Sequence, residues 1–146
     1  MNKSALYHRG VWILCAITAL IYLRGLTGDF VWDDVTFFVE NDILPNLKPW
    51  NLQAILLQPS SYWGENLPVS EFLFVFEYFL FGDFTPAYHV VSLLLYLVIG
   101  GLVWQFVSNI YQEFPAKDET RVGDLSNRQL SVLSVLSIFM LHPAHV

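Results

Sequence analysis

Residues Ala87 to Ile110 read AYHVVSLLLYLVIGGLVWQFVSNI. The run has no Asp, Glu, Lys or Arg, and its one histidine, His89, lies near its start. A bilayer needs about 20 apolar residues to be crossed by a helix. This stretch meets that length without a charge, so it decides the class of the chain. Working outward, 55% of the 146 residues are hydrophobic and 14% are charged. An ordinary soluble domain carries about 25% charge. Composition and this single run agree on a membrane protein.

Two further apolar stretches flank it. Val11 to Leu26, VWILCAITALIYLRGL, is shorter, and Arg24 near its end can snorkel toward head groups and extend the usable span. A secretory leader is the competing reading, with Lys3 and Arg9 as its basic end. No A-x-A-like cleavage site follows, and a leader leaves the later spans unexplained. The third stretch begins near Leu130 and reads LSVLSVLSIFMLHPAHV. Ser131, Ser134 and Ser137 recur every three residues, a spacing that favours helix–helix contact, as does the small notch at Gly100-Gly101. The expected fold class is therefore an all-α membrane protein. It has about three transmembrane helices (11–26, 87–110 and 130–146) and a large outer loop, 29–86, carrying short interfacial helices. The whole of 1–146 is read as one partial transmembrane domain, with 111–129 as a solvated cytoplasmic loop.

Orientation follows from charge. Val69 to Gly82, VSEFLFVFEYFLFG, is too short for a span and contains Glu71 and Glu77. Read as interfacial or re-entrant, it leaves Lys3, Arg9, Lys117, Arg121 and Arg128 on one side, which the positive-inside rule makes cytoplasmic. The outer loop then holds nine acids between Asp29 and Asp83 against Lys48 alone. A short amphipathic helix is expected from Pro49 to Leu57, stopped before Pro59. Trp32, Trp50 and Trp63 are placed as interfacial aromatics. The expected location is a bacterial inner membrane or the endoplasmic reticulum, with the N-terminus cytoplasmic. The acidic balance excludes a basic nucleic-acid footprint. Cys15 alone makes no disulfide framework and reads as a small packing residue.

Chemistry, if any, lies where ionisable groups meet the membrane. Asp33 and Asp34 follow the first span in FVWDDVTFFVEND. Acids near hydrocarbon are costly, so they raise a functional hypothesis. A carboxylate there can take a proton from an acceptor hydroxyl. The plain alternative is a wet acidic loop or a helix N-terminus favouring negative charge. Topology brings His142 and His145, in LHPAHV, to the same membrane face. Their plain alternative is capping and interfacial packing. For Glu71 and Glu77 it is snorkelling or helix–helix hydrogen bonds, and for His89 a packed, hydrogen-bonded span end.

The ordered set GDFVWDDVTFFVEND, YWGENLPVSEFLF, LFGDFTPAYHVVSLLLYLV and FMLHPAHV resembles the N-terminal part of glycosyltransferase-C superfamily membrane enzymes. In particular it resembles the transmembrane, TPR-containing O-mannosyltransferase-like proteins and their bacterial relatives. The resemblance implies a transferase that moves a sugar from a polyprenyl-phosphate donor to an acceptor hydroxyl, on protein or glycan, at the outer or lumenal face. It implies Asp33 or Asp34 as the catalytic base. It places Tyr62 and Pro68 near the donor, and His142, Pro143 and His145 around the site. Membrane lipid is a partner and nucleic acid is not. No metal ligand is assigned, and a divalent cation is left open as a cofactor. Leu67 stands where the family commonly has an Arg, and Leu cannot grip phosphate through paired hydrogen bonds. That departure, with the end at Val146, supports the other expectation: a fragment of such an enzyme, or a truncated non-catalytic membrane protein that packs with a partner.

Overall fold

A computed structural model describes residues 3–32, 34–40, 44–57, 67–113, 121–122 and 125–142. The chain is all-α in character and falls into two compact units. Unit 1 comprises residues 1–24 and 91–146, and unit 2 comprises 25–90.

Unit 1 contains the long apolar helices. Helix α1 spans Lys3–Tyr22 and continues as a 3-10 turn over Leu23–Thr27. Helix α4 spans Thr85–Glu113, starting at the end of unit 2. Leu6–Thr27 and Thr85–Glu113 are the two described stretches long and apolar enough to cross a bilayer. Only 11% and 6% of their most apolar windows are buried. The core helix of a soluble protein is covered by its neighbours, so these exposed apolar surfaces suit a lipid solvent. Helix α5, Asn127–Leu141, is the third apolar segment and is shorter.

The start of α5 differs from the expected boundary near Leu130. Ser126 Oγ accepts from the Gln129 backbone N–H at 3.3 Å, and Gln129 Oε1 accepts from the Ser126 N–H at 3.1 Å. This capping box satisfies two donors that a helix start leaves without partners. The string SNRQ is its signal in sequence. Just before it, β1 (Arg121–Val122) pairs antiparallel with β2 (Leu125–Ser126), with Val122 opposite Leu125. The expected plain loop at 111–129 therefore ends in a short β-ladder.

The core of unit 1 is Val11 on α1 with Leu136 and Met140 on α5, flanked by Leu14, Cys15, Leu97, Trp104 and Phe139. Cys15 is the packing residue the sequence suggests. The glycine notch is real and one-sided. A Cβ on Gly100 would lie 3.1 Å from the Met140 Sδ and Cε, whereas one on Gly101 would meet nothing within 4 Å. The serines bond within their own helix. Ser131, Ser134 and Ser137 donate to the carbonyls four residues back, at 2.9, 2.9 and 2.7 Å. Back-bonding satisfies each hydroxyl within α5 itself. The bonds between elements come from larger side chains. Trp104 Nε1 donates to the Tyr7 hydroxyl at 2.7 Å, Tyr96 donates to the Phe139 carbonyl at 2.8 Å, and Arg128 donates to the Ser108 carbonyl at 3.3 Å.

Unit 2 is built of short pieces: a π-helical turn over Val35–Val39, a 3-10 turn over Leu44–Asn46, α2 (Leu52–Leu57) and α3 (Pro68–Phe81). The expected amphipathic helix from Pro49 begins at Leu52. Leu44, Ile55 and Val75 form the core, with Phe38, Leu47, Phe74 and Tyr78 against it. Helix α3 starts on Pro68, whose missing N–H costs nothing in the first turn. It stops at Gly82, which takes φ +54°, a conformation glycine adopts without steric cost. Tyr88, 3% exposed, donates to the Gly82 carbonyl at 2.6 Å and ties this corner to the start of α4.

The Gly100 contact predicts an asymmetry. Gly100→Leu should destabilise the chain in detergent by about 1–3 kcal/mol, because the branched side chain must displace Met140. Gly101→Leu should be neutral or slightly stabilising, since glycine costs about 1 kcal/mol in a helix interior. Thermal unfolding of both variants checks this, and equal destabilisation would remove Gly100 as the packing notch.

Candidate functional site

The acidic exit of the first span enters unit 2 through a sharp turn. Trp32 holds φ +54°, a left-handed conformation uncommon for a bulky residue. The Asp34 N–H donates to the Val31 carbonyl at 3.2 Å, and the Val35 N–H to the Trp32 carbonyl at 3.1 Å. Strained backbone persists where surrounding structure imposes it, and it concentrates at functional sites. Asp34 then occupies the N-terminal flank of the π-helical turn, half-buried, without a side-chain capping bond. The helix-start alternative thus places Asp34 at the right position. Asp33 lies outside the described residues, as do Tyr62, Trp63, Pro143 and His145.

The turn after Asp34 is pinned by aromatics. Phe37 and Phe38 meet Phe74 of α3 at ring distances of 5.3 and 4.9 Å. Phe38 also meets Tyr88 at 4.7 Å and stacks on Phe30 at 4.9 Å. Edge and stacked pairs at such distances add about 0.5–1.5 kcal/mol each beyond their buried area. His89 Nε2 is 3.1 Å from the Gly28 carbonyl. This is the packed, hydrogen-bonded role expected of it.

Helix α3 is inverted relative to a soluble amphipathic helix. Val69, Phe72, Phe76, Phe79 and Leu80 are exposed, while Glu71 and Glu77 are 3% and 4% exposed. Neither glutamate snorkels, which corrects one of the expectations for this segment. The reason is a stripe of phenylalanines that an apolar surrounding solvates better than it solvates a carboxylate. Trp50 is exposed beside this stripe, its ring 5.5 Å from Phe79, and Lys48 Nζ sits 5.9 Å over the same Phe79 ring. Burial pushes the Glu77 carboxyl up to about 7, and the negative charge of Asp34 pushes in the same direction. Glu77 was not singled out for chemistry in the sequence, because in EFLFVFEYFLFG its inward direction depends on what packs on the helix.

Pro68 is the first residue of α3, with the exposed Leu67 at its N-terminal flank. His142 is exposed at the C-terminal end of α5 in unit 1. Among the described residues, no three of His, Cys, Asp and Glu gather into a group able to hold a metal ion.

No protein-family model matches the chain, and no solved structure matches it. Curated proteins do. The chain is 30% identical over 149 residues to Protein O-mannosyl-transferase F38B6.6 of Caenorhabditis elegans, a match covering 94% of this chain and 19% of that protein. It is 28% identical over 144 residues to Protein O-mannosyl-transferase TMTC4 of Homo sapiens, covering 91% of this chain and 19% of that protein. The mouse TMTC4 protein matches at 29% over 140 residues. The chain thus spans about one fifth of the length of these relatives and is similar to them nearly throughout its own length.

The state of Glu77 has a consequence for stability. Its carboxyl binds its proton more tightly in the fold, at about 7, than at its ordinary value of 4.5. The folded state therefore holds more protons between these limits, and stability falls as pH rises through that window and levels off above it. Glu77→Gln should remove this slope and stabilise the chain by on the order of 2 kcal/mol at alkaline pH. Unfolding in detergent at a series of pH values checks it; an unchanged slope in the variant would place the titration elsewhere.

Proposed function

We propose that this chain is a glycosyltransferase-like membrane module of the glycosyltransferase-C type. It acts at the outer or lumenal face and takes its sugar from a polyprenyl-phosphate donor. Asp34 or its neighbour Asp33 removes the proton from an acceptor hydroxyl. The hydroxyl oxygen bonds to the anomeric carbon of the sugar while the bond from that carbon to the lipid phosphate oxygen breaks. The electron pair leaves on the phosphate. The acceptor class favoured by the relatives' names is a protein hydroxyl, with mannose as the sugar.

The observation that carries this reading is Asp34 itself. It is half-buried, it follows a strained turn, and it belongs to a unit whose α3 turns phenylalanines outward. A base near a bilayer surface is where a lipid-linked donor must present its phosphate. Similarity to proteins named O-mannosyl-transferases over 94% of this chain supports it. Pro68 and Tyr62 are the donor-side residues in this reading, as the resemblance implies. A second reading, a non-catalytic protein that packs with a partner, is favoured by Leu67. It is exposed at the flank of α3, in the place of a phosphate-gripping Arg.

Asp34→Asn and Asp33→Asn, each made in the membrane-embedded protein, should separate these readings. Loss of sugar transfer by at least about a hundredfold in one variant, with normal folding, is expected of a general base. Full activity in both would leave the packing role standing. The orientation has its own check. A cysteine at Asn66 should react with a membrane-impermeant reagent from outside, and one at Thr120 should not; the opposite pattern would reverse the assignment.

A further inference from the structure

Helix α3 exposes Val69, Phe72, Phe76, Phe79 and Leu80. At about 100° of turn per residue, these side chains fall within an arc of about 100°. Glu71 and Glu77 lie outside that arc and are buried, so the helix presents no carboxylate on this face. An apolar stripe of this width is what a helix lays against an apolar phase.

One edge of the stripe is finished differently. Trp50, 71% exposed, meets Phe79 edge-on, with ring centroids 5.5 Å apart and planes at 80°. Lys48 Nζ lies 5.9 Å from the centroid of the same ring. A ring face attracts a cation at that range. Lys48 is itself exposed, so a ligand can reach its ammonium while its stem covers apolar surface. A phenyl ring prefers hydrocarbon, an indole the membrane boundary and an ammonium the head groups. Phe79, Trp50 and Lys48 thus supply, side by side, the groups suited to each depth of a membrane surface.

Charge selects the lipid. Between Gly25 and Val90 the sequence holds Lys48 and no other Lys or Arg. The exposed acids among the described residues there, Asp29, Glu40 and Asp83, repel anions. An anionic head group is therefore attracted at the rim of Phe79, and no second Lys or Arg of the unit replaces Lys48. A bilayer is the surface at hand, because α4, long and apolar enough to cross one, begins within unit 2.

We propose that Lys48, Trp50 and Phe79 form a binding site for the phosphate head group of an anionic bilayer phospholipid, with α3 lying in the membrane surface and its phenylalanines among the acyl chains. Lys48 Nζ donates to the phosphate oxygens, Trp50 sits at the boundary, and Phe79 fixes both above the stripe. Neither Asp34 nor sugar transfer enters this site.

A bimane fluorophore on Leu80→Cys, in a Cys15→Ser background, reads the stripe of the full chain in vesicles. Phosphatidylcholine brominated in its acyl chains should quench it, as expected of a stripe in hydrocarbon. Brominated phosphatidylglycerol should quench it at a lower mole fraction. Lys48→Gln should raise the mole fraction of phosphatidylglycerol needed for half-quenching about fivefold, the effect of losing one lysine near an anionic surface. Quenching by phosphatidylcholine should stay unchanged in this variant, and Lys48→Arg should keep the preference for phosphatidylglycerol. Solid-state NMR of the unsubstituted chain, with isotope-labelled lysine ammonium groups, should show a contact to lipid phosphorus that Lys48→Gln removes. Absence of quenching by both lipids means that protein covers the stripe, and it overturns the site. A phosphatidylglycerol preference that survives Lys48→Gln, or a lysine–phosphorus contact unchanged by it, overturns the role of Lys48.

Discussion

Unit 2 depends on which way α3 faces. Its glutamates turn inward and its phenylalanines turn outward, against the order that water imposes on an amphipathic helix. A buried carboxylate is expensive, and a neutral carboxylic acid is far less so. The cost of placing Glu77 inside is therefore limited by its proton. The outward stripe of Val69, Phe72, Phe76, Phe79 and Leu80 is unfavourable in water and natural at a lipid surface. Once that orientation is set, the rest of the unit follows. Phe74 is presented to Phe37 and Phe38, so the turn carrying Asp34 is pinned. Phe81 and Gly82 are presented to Tyr88, so the corner into α4 is closed.

Unit 1 meets a different condition. Between lipid-facing helices there is little hydrophobic driving force, because lipid tails are as apolar as leucine. Close approach and satisfied polar groups must do the holding. Gly100 supplies the first by leaving room for Met140 on α5. Tyr7, Trp104, Ser108 and Arg128 supply the second through bonds that tie the ends of α1, α4 and α5. The serines of α5 contribute by absence of demand, since each hydroxyl bonds its own helix.

Much of this architecture was legible from sequence, for identifiable reasons. The uncharged run at Ala87–Ile110 and the run after Lys3 are one-dimensional signals: length and apolarity alone specify a helix in a bilayer. Pro68 and Gly82 mark the ends of α3 because their backbone limits are local. The capping box at Ser126 and Gln129 is equally local, and it sets the start of α5 three residues ahead of the apolar run. A serine spacing of three fits both cross-helix contact and back-bonding, and only the atomic neighbours show the back-bonds. Of the candidate site, Asp34 was legible as an acid at a span exit. Its strained approach through Trp32 was not, since left-handed backbone at a tryptophan has no composition signal.

The amino-acid sequence by itself determined that this is a helical chain suited to a membrane, where its long apolar helices lie, and that its acids gather between the first two of them. Those properties are sums over consecutive residues. Only the tertiary structure decided that Glu77 is enclosed rather than exposed, and that it feels the charge of Asp34. Periodicity places Glu77 on a stripe with Phe74 and Phe81, but which side of α3 is inside depends on the partners that pack there. Phe38 and Tyr88 come from segments far apart in sequence, and their rings make that choice.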